Sequence, residues 1–183
     1  MASAARRKIS VLARRNPTNP QRLPDQPGLF AGLLQSGHDR RAIQFLRVFR
    51  SRMRSGRLSR APLRLLRFQW HGNSVECDWL ARPGDSWDAG LPPLLIRQNA
   101  SEQALEDAIQ LRALLFKTIP GLDSAELCVF RDSSHSGREL VAAGHAEPND
   151  SVAPTVRSLA MRAKLFGFRF TAEDGVLQPL SPA

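Results

Sequence analysis

The sequence predicts an α+β fold: one mostly antiparallel sheet of two to three hairpins, with two helices packed on one face of the sheet. Apolar and polar residues alternate in paired runs separated by turn sequences, and segments with helical periodicity lie between those pairs. The chain has 183 residues, of which 42% are hydrophobic. This is enough for one core of roughly 100 to 150 residues. We expect a single domain over residues 63–183, preceded by a basic and partly disordered N-terminal arm.

Charge is divided unevenly along the chain. Residues 1–67 contain fifteen Arg and one Lys against two Asp, whereas residues 68–183 contain ten basic and fifteen acidic residues. The net charge of +9 therefore comes from the first third of the chain. Such an arm is suited to an anionic partner, and it is also suited to contact with the more acidic domain of the same molecule.

The arm has two predicted parts. Residues 16–38 contain four Pro and three Gly, which interrupt any continuous helix, so we expect residues 1–38 to be disordered. Residues 39–56 predict a basic amphipathic helix, with Asp39 as its cap and apolar residues at steps of three and four. The arginines on the other face of this helix are Arg40, Arg47, Arg50, Arg54 and Arg57.

The first half of the domain predicts a hairpin and a long helix. Residues 66–79 alternate between apolar and polar around a His-Gly-Asn turn, which is typical of a β-hairpin with one buried face. A loop rich in Pro and Gly follows over residues 82–93. Asn99 and Glu102 resemble a capping box, so we expect the long helix to begin at Asn99 and to end before Pro120.

The second half repeats this order. Residues 126–146 predict another hairpin, and its first strand is apolar almost without interruption, which favours a central strand buried on both faces. A helix capped by Ser151 and stopped by Gly167 follows, and Asp174-Gly175 predicts a last short hairpin. The predicted order within the domain is ββαββαββ.

The motifs of common enzymes are absent from the sequence. No P-loop, GxSxG, GxGxxG or CxxC pattern occurs. Cys77 and Cys128 each lie in an apolar strand, so we expect buried thiols and neither a disulfide nor a nucleophile. We expect no catalytic residue, cofactor or metal. The sequence also lacks a run of the roughly 20 apolar residues that a membrane span needs, so we expect a cytoplasmic protein.

Acidic and aromatic residues near the loop form a second candidate site. Two carboxylates share one strand face, and the loop that follows adds two more and an indole. We favour solvated carboxylates and a Trp that pins the loop to the sheet. The alternative is a small intracellular enzyme or ligand-binding domain with a pocket between the sheet and loop 82–93. The residues of this possible pocket or partner loop are Glu76, Asp78, Asp85, Trp87 and Asp88.

The favoured function is a non-enzymatic binding module whose arm contacts a polyanion. Nucleic acid is the favoured partner, through phosphate contacts that do not read sequence. Three alternatives stay open for the helix and arm: an anionic membrane into which Phe45 and Phe49 insert, docking on the acidic domain, and a transit segment within residues 1–15. A fourth is that residues 1–52 precede an internal start at Met53.

Overall fold

The computed structural model describes residues 39–133, 137–148 and 155–180. Residues 1–38, predicted to be a disordered arm, lie outside the described residues. The described elements are α1 (Asp39–Arg52), β1 (Arg64–His71), β2 (Ser74–Leu80), a 3-10 turn (Ser86–Gly90), α2 (Pro93–Thr118), β3 (Ser124–Ser133), β4 (Gly137–Ala146), α3 (Leu159–Leu165), β5 (Phe168–Arg169), β6 (Ala172–Glu173) and β7 (Val176–Leu177).

Strands β1 to β5 form one sheet in chain order. The two long hairpins, β1–β2 and β3–β4, are antiparallel as predicted, and β5 joins β4 in the same sense. Strands β2 and β3 are parallel, because α2 returns the chain to the end of the sheet from which β2 began. The α+β class is confirmed, and the sheet is mixed.

The last hairpin forms a separate small sheet of β6 and β7. Asp174 and Gly175 form its turn with φ angles of 49° and 75°, as the sequence predicts for a tight two-residue turn. This hairpin packs β7 against α2, so it covers one end of the long helix.

The core lies between one face of the five-stranded sheet and the helices. Trp79, Leu127 and Val129 present fully buried side chains on this face of the sheet, and Leu111 and Leu115 are the corresponding fully buried residues of α2. These side chains belong to a single apolar cluster that also includes residues of α1 and α3. Among the described residues, three helices and not the predicted two therefore contribute to the same core.

Helix α1 contributes large side chains to this core. Phe45 is fully buried, and its ring stacks on Phe68 of β1 with 4.9 Å between ring centroids. Phe49 and Met53 are also buried. Since burial of a Phe side chain stabilises a fold by roughly 1.5 to 3 kcal/mol, α1 belongs to the same core as the predicted domain of residues 63–183, from which the prediction had left it out.

The ends of the helices differ from those predicted. Helix α2 begins at Pro93 and not at Asn99, because Pro at the first helical position sacrifices no helical hydrogen bond. Ser158 caps α3, its hydroxyl accepting from the backbone N–H of Met161, whereas the predicted cap at Ser151 lies outside the described residues. Helix α1 ends at Arg52, before the predicted residue 56.

The second face of the sheet is polar. Along β3, Leu127 and Val129 are buried whereas Glu126 is exposed and Cys128 is half-buried. The prediction that β3 is buried on both faces is therefore wrong, although β3 does occupy the centre of the sheet. The physical reason is that, among the described residues, α1, α2 and α3 all pack on the face of the sheet that carries Leu127 and Val129.

Candidate functional site

The polar side of α1 carries a row of exposed arginines, which we call the arginine row: Arg40, Arg47 and Arg54. These three side chains make no hydrogen bond or ion pair with the part of the chain that the structure describes. Arg40 and Arg47 are seven residues apart on α1, which corresponds to about 10 Å along one side of the helix. Arg54 lies just beyond the last helical residue, Arg52.

Arg57, another of the predicted arm arginines, differs from this row. Arg57 binds Glu102 and Glu106 of α2, and these bonds raise the pKa of its guanidinium. Its charge is therefore engaged within the molecule, where it ties the segment after α1 to α2. Arg50 is exposed on α1. The structure thus separates five arginines that look equivalent in the sequence.

The apolar side of α1 is occupied by the protein core. Phe45 is 0% exposed and Phe49 is 5% exposed, so neither ring is available to insert into a bilayer while the chain is folded. Within the described ranges, no helix combines the length and the apolar character that crossing a membrane requires.

The strand carboxylates of the second candidate site bind an arginine of the neighbouring strand. Arg67 Nη1 lies 2.8 Å from Glu76 Oε2, and Arg67 Nε lies 2.7 Å from Asp78 Oδ2. These bonds raise the pKa of Arg67, with the hydrogen bond to Asp78 as the largest cause. Both carboxylates therefore serve as cross-strand partners on the polar sheet face.

The loop carboxylates cap the 3-10 turn. Asp85 accepts from the backbone N–H groups of Arg60 at 3.0 Å and Trp87 at 3.3 Å, and the hydrogen bond from Arg60 is the main cause of its lowered pKa. Asp88 accepts in turn from the backbone N–H of Asp85 at 3.3 Å. These groups fix the loop. The described residues contain no cluster of His, Cys, Asp and Glu that could hold a metal ion.

The prediction that Trp87 pins the loop to the sheet is wrong. It is 77% exposed, and the guanidinium of Arg60 lies 5.6 Å from its ring centre. Leu91, Leu94 and Leu95 are exposed on the next residues of the chain. The indole therefore belongs to an apolar surface and contributes little to the core.

Sequence reasoning missed a buried ion pair between Arg82 and Asp107. Their side chains are 1% and 0% exposed, and Arg82 Nε lies 2.8 Å from Asp107 Oδ2. Arg82 also donates to the carbonyls of Met53, at 2.9 Å, and Ala61. Burial raises the pKa of Asp107, while the bonds from Arg82 and Gln103 oppose that shift.

Gln103 extends this network to the segment after α1. Its amide N–H donates to Asp107 at 3.1 Å, and its carbonyl accepts from the backbone N–H of Leu58 at 2.6 Å. Gly56 lies so close to Gln103 that a β-carbon there would come within 2.4 Å of the amide. We call Arg82, Gln103 and Asp107 the buried polar cluster. The sequence signal was Asp107 itself, a carboxylate one residue before the apolar pair at 108 and 109.

A recess opens where β2 and β3 end and α2 begins. Its cavity volume is about 400 Å³, and a second cavity of about 60 Å³ adjoins it and shares several of its wall residues. The recess lies between the sheet and residues 82–84, which is the place of the pocket predicted as an alternative between the sheet and loop 82–93, but none of the five residues predicted for that pocket is in its walls. Recognition of β2–α2–β3 as a parallel crossover would have pointed to it, since ligands often bind at the carboxyl ends of parallel strands. The principal wall residues are Arg64, Leu80, Ile96, Arg97, Ala100 and Arg131.

The two thiols have unreactive environments. Cys77 is fully buried, and burial raises the pKa of its thiol. Cys128 is half-buried beside Asp78, and desolvation is the main cause that raises its pKa to about 11. Since the thiolate is the nucleophile, neither residue has the lowered pKa of a catalytic cysteine.

Comparison with known proteins adds no further constraint on the site. No protein-family model matches this chain, and no curated protein or solved structure matches it either. What the protein binds therefore has to follow from the chemistry of its own surface, namely the arginine row and the recess.

Proposed function

We propose that the protein is a non-enzymatic binding module whose arginine row contacts a polyanion, with nucleic acid as the partner that fits best. One observation supports the proposal most: Arg40 and Arg47 are exposed on a helix whose opposite face is fixed in the core by Phe45 and Phe49. The helix therefore presents its charges on a rigid surface, and binding need not order the helix first.

Phosphate contact is the chemistry that suits this row. A guanidinium binds phosphate oxygens through paired hydrogen bonds, and each contact on duplex DNA releases condensed counterions. Contacts of this kind do not read the base sequence. Residues 1–38 add five Arg and one Lys against one Asp in the sequence, so the same sign of charge continues on the N-terminal side.

The polar face of the sheet is unsuited to the same partner. Modules that bind RNA on a sheet face stack bases on exposed aromatic rings. Among the described residues, no strand of the sheet has an exposed aromatic ring, and the carboxylates Glu76 and Asp78 on this face are already bound by Arg67. The lack of exposed rings on the sheet therefore favours α1 as the contact surface for nucleic acid.

A membrane surface is the competing partner for a basic helix. Insertion of apolar side chains supplies much of the affinity of such helices, and α1 has its large apolar residues in the core. Only the electrostatic part of that affinity is left. We therefore favour nucleic acid, and anionic vesicles serve as a separate arm of the test.

The test is fluorescence anisotropy of a labelled 30-base-pair duplex of random sequence at 100 mM salt. The Arg40→Gln/Arg47→Gln/Arg54→Gln variant should bind about tenfold or more weakly than the unchanged chain. The matched control, Arg157→Gln/Arg162→Gln/Arg169→Gln, removes the same charge elsewhere and should change affinity by less than about threefold.

Equal losses in the two variants would show that net charge alone matters and would overturn the role of the arginine row. Binding to vesicles of phosphatidylserine, without binding to the duplex, would assign the row to a membrane surface instead. Circular dichroism of each variant checks that the fold is retained, as we expect because the row is exposed.

A further inference from the structure

The recess between β2, β3 and α2 is the strongest candidate for a second binding site. It lies outside the carboxyl ends of two parallel strands, beside the first turns of the helix that connects them. Open α/β sheets also bind ligands outside the carboxyl ends of parallel strands, and the recess shares that position although the sheet is mixed. The volume of about 400 Å³ lies within the range of small-molecule pockets.

The walls of the recess combine apolar surface with positive charge. Pro62, Leu80 and Ile96 are apolar wall residues, and Arg64 and Arg97 are exposed basic residues of the same walls. The guanidinium groups of these two arginines make no hydrogen bond or ion pair with any group among the described residues. Both remain able to bind an anion.

The other two arginines of the walls are held by the protein. Arg82 donates to Asp107 and to backbone carbonyls through four of its five N–H groups. Arg131 Nη2 binds Glu139 at 2.9 Å, and its Nη1 donates to the carbonyl of Leu177 at 2.9 Å. Asp132 is an exposed carboxylate of the same walls, 3.8 Å from Arg138. Arg64 and Arg97 therefore outnumber the one exposed carboxylate that the walls offer to a ligand.

The supporting wall is stiff. The buried pair of Arg82 and Asp107 joins the end of β2 to α2, directly behind the recess. At the rim, Gly84 approaches Ile96 so closely that a β-carbon would lie 2.9 Å from its Cγ2 atom. A site with fixed walls loses less freedom on binding than a flexible one, so the recess is organised before a ligand arrives.

We propose that this recess binds a small molecule with a carboxylate or phosphate group on an apolar body, with the anionic group at Arg64 and Arg97 and the apolar body against Leu80, Ile96 and Ala100. Guanidinium groups bind both kinds of anion in a bidentate manner, and the apolar wall selects against small inorganic ions. This site goes beyond the arginine row, since it holds a different class of ligand on other residues.

The test uses three probes that share a benzene ring: phenyl phosphate, benzoate and uncharged benzyl alcohol. Two-dimensional NMR of the full ¹⁵N-labelled chain follows each titration. We expect at least one of the two anions to shift the amides of residues 81–82, 84, 96–100 and 131–132 in a saturable way, and benzyl alcohol to bind at least about tenfold more weakly. The tighter anion identifies the preferred head group.

Variants separate the charge from the cavity. Arg64→Gln and Arg97→Gln should each weaken the anion about tenfold, whereas Arg169→Gln, on β5, should leave it unchanged. Ala100→Leu should block the cavity without altering charge, and Ala113→Leu, an exposed position of the same helix, is its control.

Several outcomes would overturn the site. These are shifts that do not saturate, shifts spread over arginines elsewhere, or binding that is unchanged by both Arg97→Gln and Ala100→Leu. Duplex binding measured on the Ala100→Leu variant keeps the two proposals apart. The duplex affinity of this variant should equal that of the unchanged chain, because the arginine row and the recess share no residue.

Discussion

Arg82 and Arg47 have the same side chain, yet they lie in opposite surroundings. Arg82 is almost completely buried, pairs with Asp107 and donates to backbone carbonyls, so it holds the segment after α1 against α2. Arg47 is exposed and has no bonding partner among the described residues. The comparison shows that the role of each arginine in this chain depends on whether a carboxylate lies opposite its guanidinium. The net positive charge therefore counts together arginines that hold the fold and arginines that are exposed to a partner.

The largest expected effect comes from removing α1 and the segment after it, which carry Arg47 and the carbonyls that Arg82 binds. A chain of residues 63–183 lacks Phe45, Phe49 and Met53 as well as the carbonyls that Arg82 binds. We expect it to show no cooperative thermal transition by circular dichroism, whereas a chain of residues 39–183 should unfold cooperatively. A cooperative transition of the shorter chain would show that α1 is an appendage and would restore the boundary at residue 63.

A second prediction separates the two kinds of arginine within the intact chain. Arg82→Met should lower the free energy of unfolding by about 3 to 5 kcal/mol, because it leaves the Asp107 carboxylate buried without its partner. Arg47→Gln should change it by less than about 0.5 kcal/mol. Urea denaturation measures both values.

A double variant controls for the loss of packing at Arg82. Arg82→Met/Asp107→Leu removes both charges and should be more stable than Arg82→Met alone, since no uncompensated carboxylate remains. If the double variant is no more stable than the single variant, the main role of Arg82 is its bonds to Met53 and Ala61, and the ion pair is secondary.

The sequence predicted the local parts of the fold and missed the parts that depend on distant contacts. The hairpins follow from the alternation of apolar and polar residues, which places Val75, Cys77 and Trp79 on one face of β2. Residues close together in the sequence are enough to determine this pattern. The parallel pairing of β2 and β3 depends on where α2 returns the chain, which no local pattern records. The mixed sheet was therefore missed although every long strand was found.

The same limit explains the sites. Residues 39–56 predict an amphipathic helix, but the pattern does not say whether its apolar face meets a membrane, a partner or the core of the same chain. The acidic candidates shared a loop or a strand in the sequence, and the structure uses them as caps and cross-strand partners. The recess collects Arg64, Arg97 and Arg131 from three elements, so only the fold brings them together.

A third prediction has a smaller effect and concerns Asp85, in the loop that follows β2. The pKa of Asp85 is lowered, chiefly by the backbone N–H of Arg60, so the ionised carboxylate stabilises the folded chain. This contribution is present above the unfolded pKa of about 4 and is lost as the pH falls through the lower folded value. Asp85→Asn keeps the cap but cannot ionise.

Urea midpoints of the unchanged chain and of Asp85→Asn, measured from pH 6 to pH 2.5, test this prediction. The unchanged chain should be the more stable at pH 6, and the difference should shrink toward pH 2.5. A difference that is constant with pH would show that the charge of Asp85 does not stabilise the loop.

The most direct test of the central claim, that the arginine row contacts phosphates, is the salt dependence of duplex binding. Affinity of the 30-base-pair duplex is measured from 50 to 200 mM salt for the unchanged chain, the Arg40→Gln/Arg47→Gln/Arg54→Gln variant and the Arg157→Gln/Arg162→Gln/Arg169→Gln control. Each lost phosphate contact should reduce the slope of log affinity against log salt by roughly 0.9, so the first variant should lose about 2.7 and the control close to nothing. Equal slopes for all three chains would contradict the claim.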